Sequence, residues 1–218
     1  MSLLAMAAKS GVIRAKNRND FLIIQLILNE KLLKVVQMKT VHLEKFGWKE
    51  RGVHYLLLEE AIYMVELGVA AVVVVENVNS NQGTLSLSQL FGLLPVFGLS
   101  VFQYAAFRIL VRENHLLRRT SGEKAKLYEY DVYSILPGVG PVVDDKVHKC
   151  RLFISRPDRK PSDELRQLAY DSHVPVMLAI GSATSVRFER LPVQSSGSIS
   201  LVEIVNNTQL MQNDEPED

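Results

Sequence analysis

Arg112, Arg118, Arg119, Lys124 and Lys126 put five positive charges into fifteen residues, countered only by Glu113 and Glu123. Such a cluster can contact phosphates, giving affinity for a nucleic acid without sequence information. A solvated, charged loop around Gly122 is the equal alternative. Trp48, the only tryptophan, stands among Lys45, Lys49 and Arg51. It can stack on a base, which is worth roughly 1–3 kcal/mol per base in single-strand binders. A packed anchor between helix and sheet is the first reading. Glu59, Glu60 and Glu66 lie in an apolar helical segment. Adjacent side chains on a helix point different ways, so these acids read as a solvated helix edge, not a carboxylate dyad. Cys150 is the only cysteine. It excludes an intrachain disulfide, suits a reducing compartment and reads as a core thiol on a strand. His42, His54, His115, His148 and His173 are scattered. There is no Gly-rich phosphate loop, no Cys/His metal spacing and no nucleophile elbow. No metal or cofactor is expected.

The elements that must position these residues follow from periodicity. The 218 residues suggest one or two domains. Hydrophobic content of 47% and charged content of 22% are ordinary for a globular chain. The net charge of +1 gives no global pull toward nucleic acid or membrane, so any RNA affinity must be local. Residues 1–19 are basic and acid-free, either a loose arm or a mitochondrial targeting segment. Asn19 or Asp20 can cap a helix in which Phe21, Ile24, Leu28, Leu32, Val35 and Val36 form an apolar face. The chain turns at Gly47–Trp48. A second helix runs from Leu56 to Leu67 with Gly68 as its C-cap. Val69 to Val75 reads as a buried strand, and Asn77 to Gly83 as a polar loop. Thr84 to Phe107 carries no charge and is long enough to span a bilayer. Gly92, Pro95 and Gly98 break it, so it reads as two short helices, the second capped by Ser100 with Gln103 closing a capping box. A short strand after that helix gives a winged-helix-like pattern.

The remainder reads as a small mixed sheet with one helix packed on it. Its strands are Tyr130 to Leu136, stopped by Pro137 and Gly138, then Cys150 to Ser155, Val174 to Ile180, and Val186 to Leu191. Ser162 precedes Asp163 and Glu164, which is helix-start chemistry. Ser198 to Val205, with Ile199, Leu201 and Val205 apolar, reads as a further strand with a free edge. The polar end, from Asn207 to Asp218, is expected to be disordered.

This order of elements resembles the C-terminal domain of the tRNA-splicing endonuclease family, and within it the non-catalytic structural subunit numbered fifty-four. The segment Pro175–Ile180 followed by Val186 and Phe188 carries the resemblance. So do Tyr55–Gly68, similar to a "leucine, Glu-Glu-Ala, Leu-Tyr" helix, and Leu99–His115, where Asn114 stands in place of a usual Gly. The resemblance spans about residues 12–192. It implies an α+β chain: a helix-rich, winged-helix-like N-terminal domain (1–124), a mixed-sheet endonuclease-like domain (125–206) and an acidic tail (207–218).

Catalytic members of the family use a Tyr, a His and a Lys, without metal, to activate a ribose 2′-hydroxyl. Tyr133 stands at the matching Tyr position and His148 lies near the His position. The Lys position, just before the Pro175–Ile180 strand, holds His173, Val174 and Pro175, and no Lys occurs after Lys160. A missing cation removes electrostatic stabilisation of the transition state. The resemblance therefore implies a nuclear, non-catalytic subunit of a hetero-oligomer. It would pair with a catalytic homologue through Ile199, Leu201 and Val205. It would help hold precursor tRNA through Arg112, Arg118, Arg119, Lys124 and Lys126. A weak RNase built on Tyr133 and His148 is one alternative. A mitochondrial or membrane-associated binding protein is the other.

Overall fold

The computed structural model describes residues 21–37, 45–74, 83–134 and 147–192. The basic arm, its Asn19/Asp20 cap, most of the 77–83 loop, the stop at 137–138, the 198–205 strand and the acidic tail lie outside the described residues.

The helix expected over Phe21 to Val36 is instead a hairpin. Strand β1 (Leu22–Ile27) pairs antiparallel with β2 (Leu32–Gln37), and Ile24 sits opposite Val35. Leu22, Ile23 and Ile24 are all fully buried. A strand covered on both faces is apolar without interruption, and such a run also satisfies a three-and-four spacing. The turn at Leu28–Lys31, where Lys31 takes φ 53°, is what separates the two readings. Strands β3 (Trp48–Glu50) and β4 (Val53–Leu56) follow where only a turn was expected. The N-terminal part is therefore not helix-rich. It is a five-stranded sheet in the order β3-β4-β2-β1-β5, completed by β5 (Ala70–Val74), which lies parallel to β1.

Helix α1 (Leu58–Glu66) ends with Gly68 at φ 71°, the left-handed residue expected there. The uncharged stretch forms α2 (Leu87–Leu93), a 3₁₀ turn (Pro95–Phe97) and α3 (Val101–Arg112). The two helical parts are bent by 111°, and among the described residues no single helix is long and apolar enough to cross a membrane. Leu90, Leu94, Tyr104, Phe107 and Leu110 are buried in the core, which accounts for the apolarity without a bilayer.

Asn114 takes φ 64°, a conformation Asn tolerates better than most residues, so it replaces the usual Gly without loss of the turn. Strand β6 (His115–Arg119) then enters a second sheet, ordered β10-β9-β8-β7-β6. The short α4 (Lys124–Leu127) leads into β7 (Tyr130–Ser134) and β8 (Val147–Ile154). The rest is α5 (Asp163–Asp171), β9 (Val176–Ser182) and β10 (Ser185–Arg190). Ser162 accepts from the Leu165 N–H as the N-cap of α5. Strands β8 and β9 are parallel and the other pairs antiparallel, so the expected mixed sheet is present. β6 belongs to this sheet although it precedes residue 125.

One apolar core runs through both sheets. It joins Ile24 and Leu26 to Ile62, Phe107, Leu117, Val132, Leu152 and Ala179. A smaller cluster of Tyr128, Phe153, Leu165, Ala169, Val176 and Leu191 seats α5 on the opposite face of the second sheet.

Candidate functional site

Alternation along β7 points Tyr130 and Val132 into the core and leaves Asp131 and Tyr133 on the other face. Cross-strand pairing sets Arg118, Asp131 and Arg151 side by side across β6, β7 and β8. A bulge between Val132 and Tyr133 brings His148 opposite Tyr133. The two rings lie stacked, 4.9 Å between centroids and 24° between planes. The His148 Nε2 is 3.1 Å from Asp131 Oδ1, but the two atoms are not aligned for a hydrogen bond. Tyr133 and His148 are thus brought together, as face-to-face rings.

Burial pushes the Tyr133 phenol above its ordinary pKa, and the Asp131 carboxylate adds to that; Arg118 and Arg151 oppose it. His173, at the position of the missing lysine, is exposed after α5. Asp131 and Arg151 escaped the sequence reading. The period-2 alternation of Tyr130–Tyr133 is the signal that could have found Asp131. Arg151 needed the register.

The five cations divide. Arg112, Lys124 and Lys126 are exposed, with Lys126 donating to Glu123 at 2.9 Å. Arg112 ends α3, and Lys124 and Lys126 lie on α4, so the chain of β6 separates them. Arg118 and Arg119 are engaged inside the protein. Arg118 donates to the Gly47 carbonyl at 2.8 Å. Arg119 Nη2 meets both Glu59 oxygens, at 2.6 and 2.7 Å. Ile199, Leu201 and Val205 lie outside the described residues.

The acids of α1 are not a solvated edge. Glu59 is 0% and Glu60 1% exposed. Glu59 accepts from Arg119 and from the Tyr130 hydroxyl at 2.9 Å. Gln103 does not close a capping box: its amide donates to the Tyr130 oxygen and its carbonyl accepts from Arg156. Glu129 is bound by Arg159 and by the Ile154 N–H. The acids pair with groups far along the chain, which no helical period encodes. Glu66 likewise accepts from the Tyr104 hydroxyl at 2.8 Å. The Cys150 thiol is pushed up to about 11 by burial, in keeping with an inert core group.

Glu60 accepts from the N–H groups of Gly47 and Leu57 at 3.0 and 2.8 Å. Burial nonetheless raises its pKa to about 7, from 4.5. A carboxyl raised on folding binds its proton more tightly in the native state. Its penalty is therefore absent below about 4.5 and complete above about 7. Stability from this group falls as pH rises through that window. The lowered pKa of His54, caused first by burial, works in the opposite direction. The wild-type minus Glu60→Gln difference in unfolding free energy should thus become more unfavourable to the wild type from pH 5 to 8, read by urea unfolding at several pH values. A pH-independent difference would assign Glu60 a constant charge.

Trp48 is not a packed anchor. It is 40% exposed on the edge strand β3, stacked on Tyr55 with centroids 5.6 Å apart.

Two mixed sheets sharing one core define an α+β protein whose second sheet carries the stacked Tyr133–His148 pair with Asp131 and Arg151 on its polar face. Residues 7–73 match the model of a family described as tRNA-splicing endonuclease subunit sen54 N-term. That segment is similar to the N-terminal domain of the family the resemblance named. The match ends within β5. No curated protein matches the chain.

Proposed function

We propose that the chain is a non-catalytic subunit of a tRNA-splicing endonuclease complex, acting in the nucleus. It scaffolds a catalytic homologue and helps hold precursor tRNA. The observation that carries this reading is the Tyr133 site: its ring is stacked flat on His148, and no lysine stands where the resemblance requires one to stabilise a developing negative charge. The buried ties between the two sheets support a rigid platform, which a scaffold requires.

The purified chain is expected not to cut intron-containing precursor tRNA. Robust cleavage that disappears in Tyr133→Phe would overturn the reading and favour an RNase.

The catalytic homologue is expected to bind the C-terminal sheet. Among the described residues β10 has one strand neighbour, β9, and an unpaired edge is a ready pairing surface. Ile199, Leu201 and Val205 continue the chain beyond that strand. Deleting 198–218 should release the catalytic homologue from a still-folded chain, whereas deleting 207–218 should not. Equal retention by both truncations would place the interface elsewhere. The endonuclease-like reading of residues 125–206 belongs to this proposal, as does phosphate contact by the exposed Arg112, Lys124 and Lys126.

A further inference from the structure

Trp48, Tyr55 and Lys34 are successive cross-strand neighbours on β3, β4 and β2, so they share one face of the first sheet. Tyr55 covers one side of the indole at an interplanar angle of 22°. Trp48 still keeps 40% of its surface in solvent, an unusual cost for the largest aromatic side chain. By alternation along β3, Lys49 points to the opposite face and exposed Glu50 shares the Trp48 face, while exposed Arg51 lies in the turn that follows. Arg51, at φ 49°, and Gly52, at φ 79°, form the tight turn that closes β3 against β4. The edge strand is only three residues long, which leaves few main-chain groups for pairing with another protein's strand. What it presents instead is a pre-stacked aromatic surface with Lys34 beside it on the same face.

We propose that the Trp48–Tyr55 stack is a platform for an unpaired RNA base, with Lys34 on the same face and Arg51 in the adjoining turn attracting the flanking phosphates. Every base has a π-face, so such a platform is tolerant of sequence. Tyr55 holds the indole in place before RNA arrives, so little side-chain freedom is lost on binding. The platform lies in the segment matched by the family model, away from the Tyr133–His148 face, which is on the second sheet. It rests on the reading that the complex holds precursor tRNA, and adds where and by what chemistry one contact is made.

Trp48 is the only tryptophan, so fluorescence excited at the red edge, where the tyrosines do not absorb, reports on it alone. The full chain is titrated with an oligoadenylate about twelve nucleotides long, within the usual site sizes of single-strand binders, and in parallel with inorganic polyphosphate at matched charge. Oligoadenylate should quench Trp48 and polyphosphate should not. By fluorescence anisotropy of labelled oligoadenylate, Trp48→Ala should weaken binding about tenfold and Trp48→Phe by less. The paired substitution Lys34→Ala with Arg51→Ala should reduce the salt dependence of binding. Equal quenching by polyphosphate, or unchanged affinity in Trp48→Ala, would overturn the platform. So would quenching by the catalytic homologue but not by RNA, which would make the ring pair a protein interface. Co-purification of the catalytic homologue with Trp48→Ala separates the two ideas. Retention of the homologue with unchanged RNA binding sinks the platform alone. A wild-type chain that binds neither homologue nor RNA sinks the scaffold reading itself.

Discussion

Gly47→Ala is expected to cost more than about 3 kcal/mol of folding free energy. Gly47 has φ 66°, where an L side chain is strained. A Cβ there would lie 1.9 Å from the Tyr55 carbonyl oxygen and 2.9 Å from His54 Nε2. The first contact is with backbone in a paired strand, which cannot rotate away. Moving residue 47 instead would break what it holds. Its N–H donates to the buried Glu60 carboxylate, and its carbonyl accepts from Arg118 on the second sheet. The strain and clash therefore add to a loss of partners for two charged groups. Gly52→Ala is the control: φ is 79°, but nothing lies within 4 Å of the added Cβ. It should cost only about 1–2 kcal/mol, the conformational penalty alone. Urea unfolding of the two variants separates these contributions. Equal losses would show that the 45–47 segment relaxes freely.

Arg119→Ala should cost about 3–5 kcal/mol, the usual consequence of leaving one member of a buried ion pair alone. Glu59 is fully buried, and among the described residues it is reached by Arg119 and by the neutral Tyr130 hydroxyl. The pair joins α1 of the first sheet's layer to β6 of the second, so its loss should loosen the two halves together. Replacing both partners by apolar residues, Glu59→Leu with Arg119→Met, should recover most of that loss, because both desolvation penalties disappear. A double-mutant cycle by chemical denaturation measures the coupling. An unchanged midpoint in Arg119→Ala would mean that solvent reaches Glu59 after truncation. The same geometry warns against reading Arg119→Glu as a test of RNA contact. Charge reversal there places a second carboxylate against Glu59, so diminished RNA binding would report unfolding unless stability is measured beside it.

The two halves of the chain were not equally legible. From Ser162 onward, the elements follow from local chemistry. A serine before two acids starts α5, an uncharged run makes β9, which continues through Gly181 to Ser182 where a stop was expected, and alternation makes β10. Of the segments that carried the resemblance, Tyr55–Gly68 falls where the family model matches, at residues 7–73. In the first half, the continuous apolar run of Phe21–Ile27 fits a buried strand and a helix face equally, because periodicity vanishes when both faces are covered. Only pairing with β2 and β5 decided it.

The polar groups divide for a related reason. The sequence by itself determined that Tyr133 stands at the matching Tyr position with His148 near the His position, and that no Lys follows Lys160, because identity at a position needs no fold. Tertiary structure decided that the Tyr and His stack, that Asp131 and Arg151 join their face, and that Trp48 faces solvent. It also decided that Glu59 binds an arginine sixty residues away and that Arg118 holds Gly47. Such partners are set by register and by which helix face the core takes. Neither is a local property of the chain, so a charge that looks solvated in sequence can become the buried tie between two sheets.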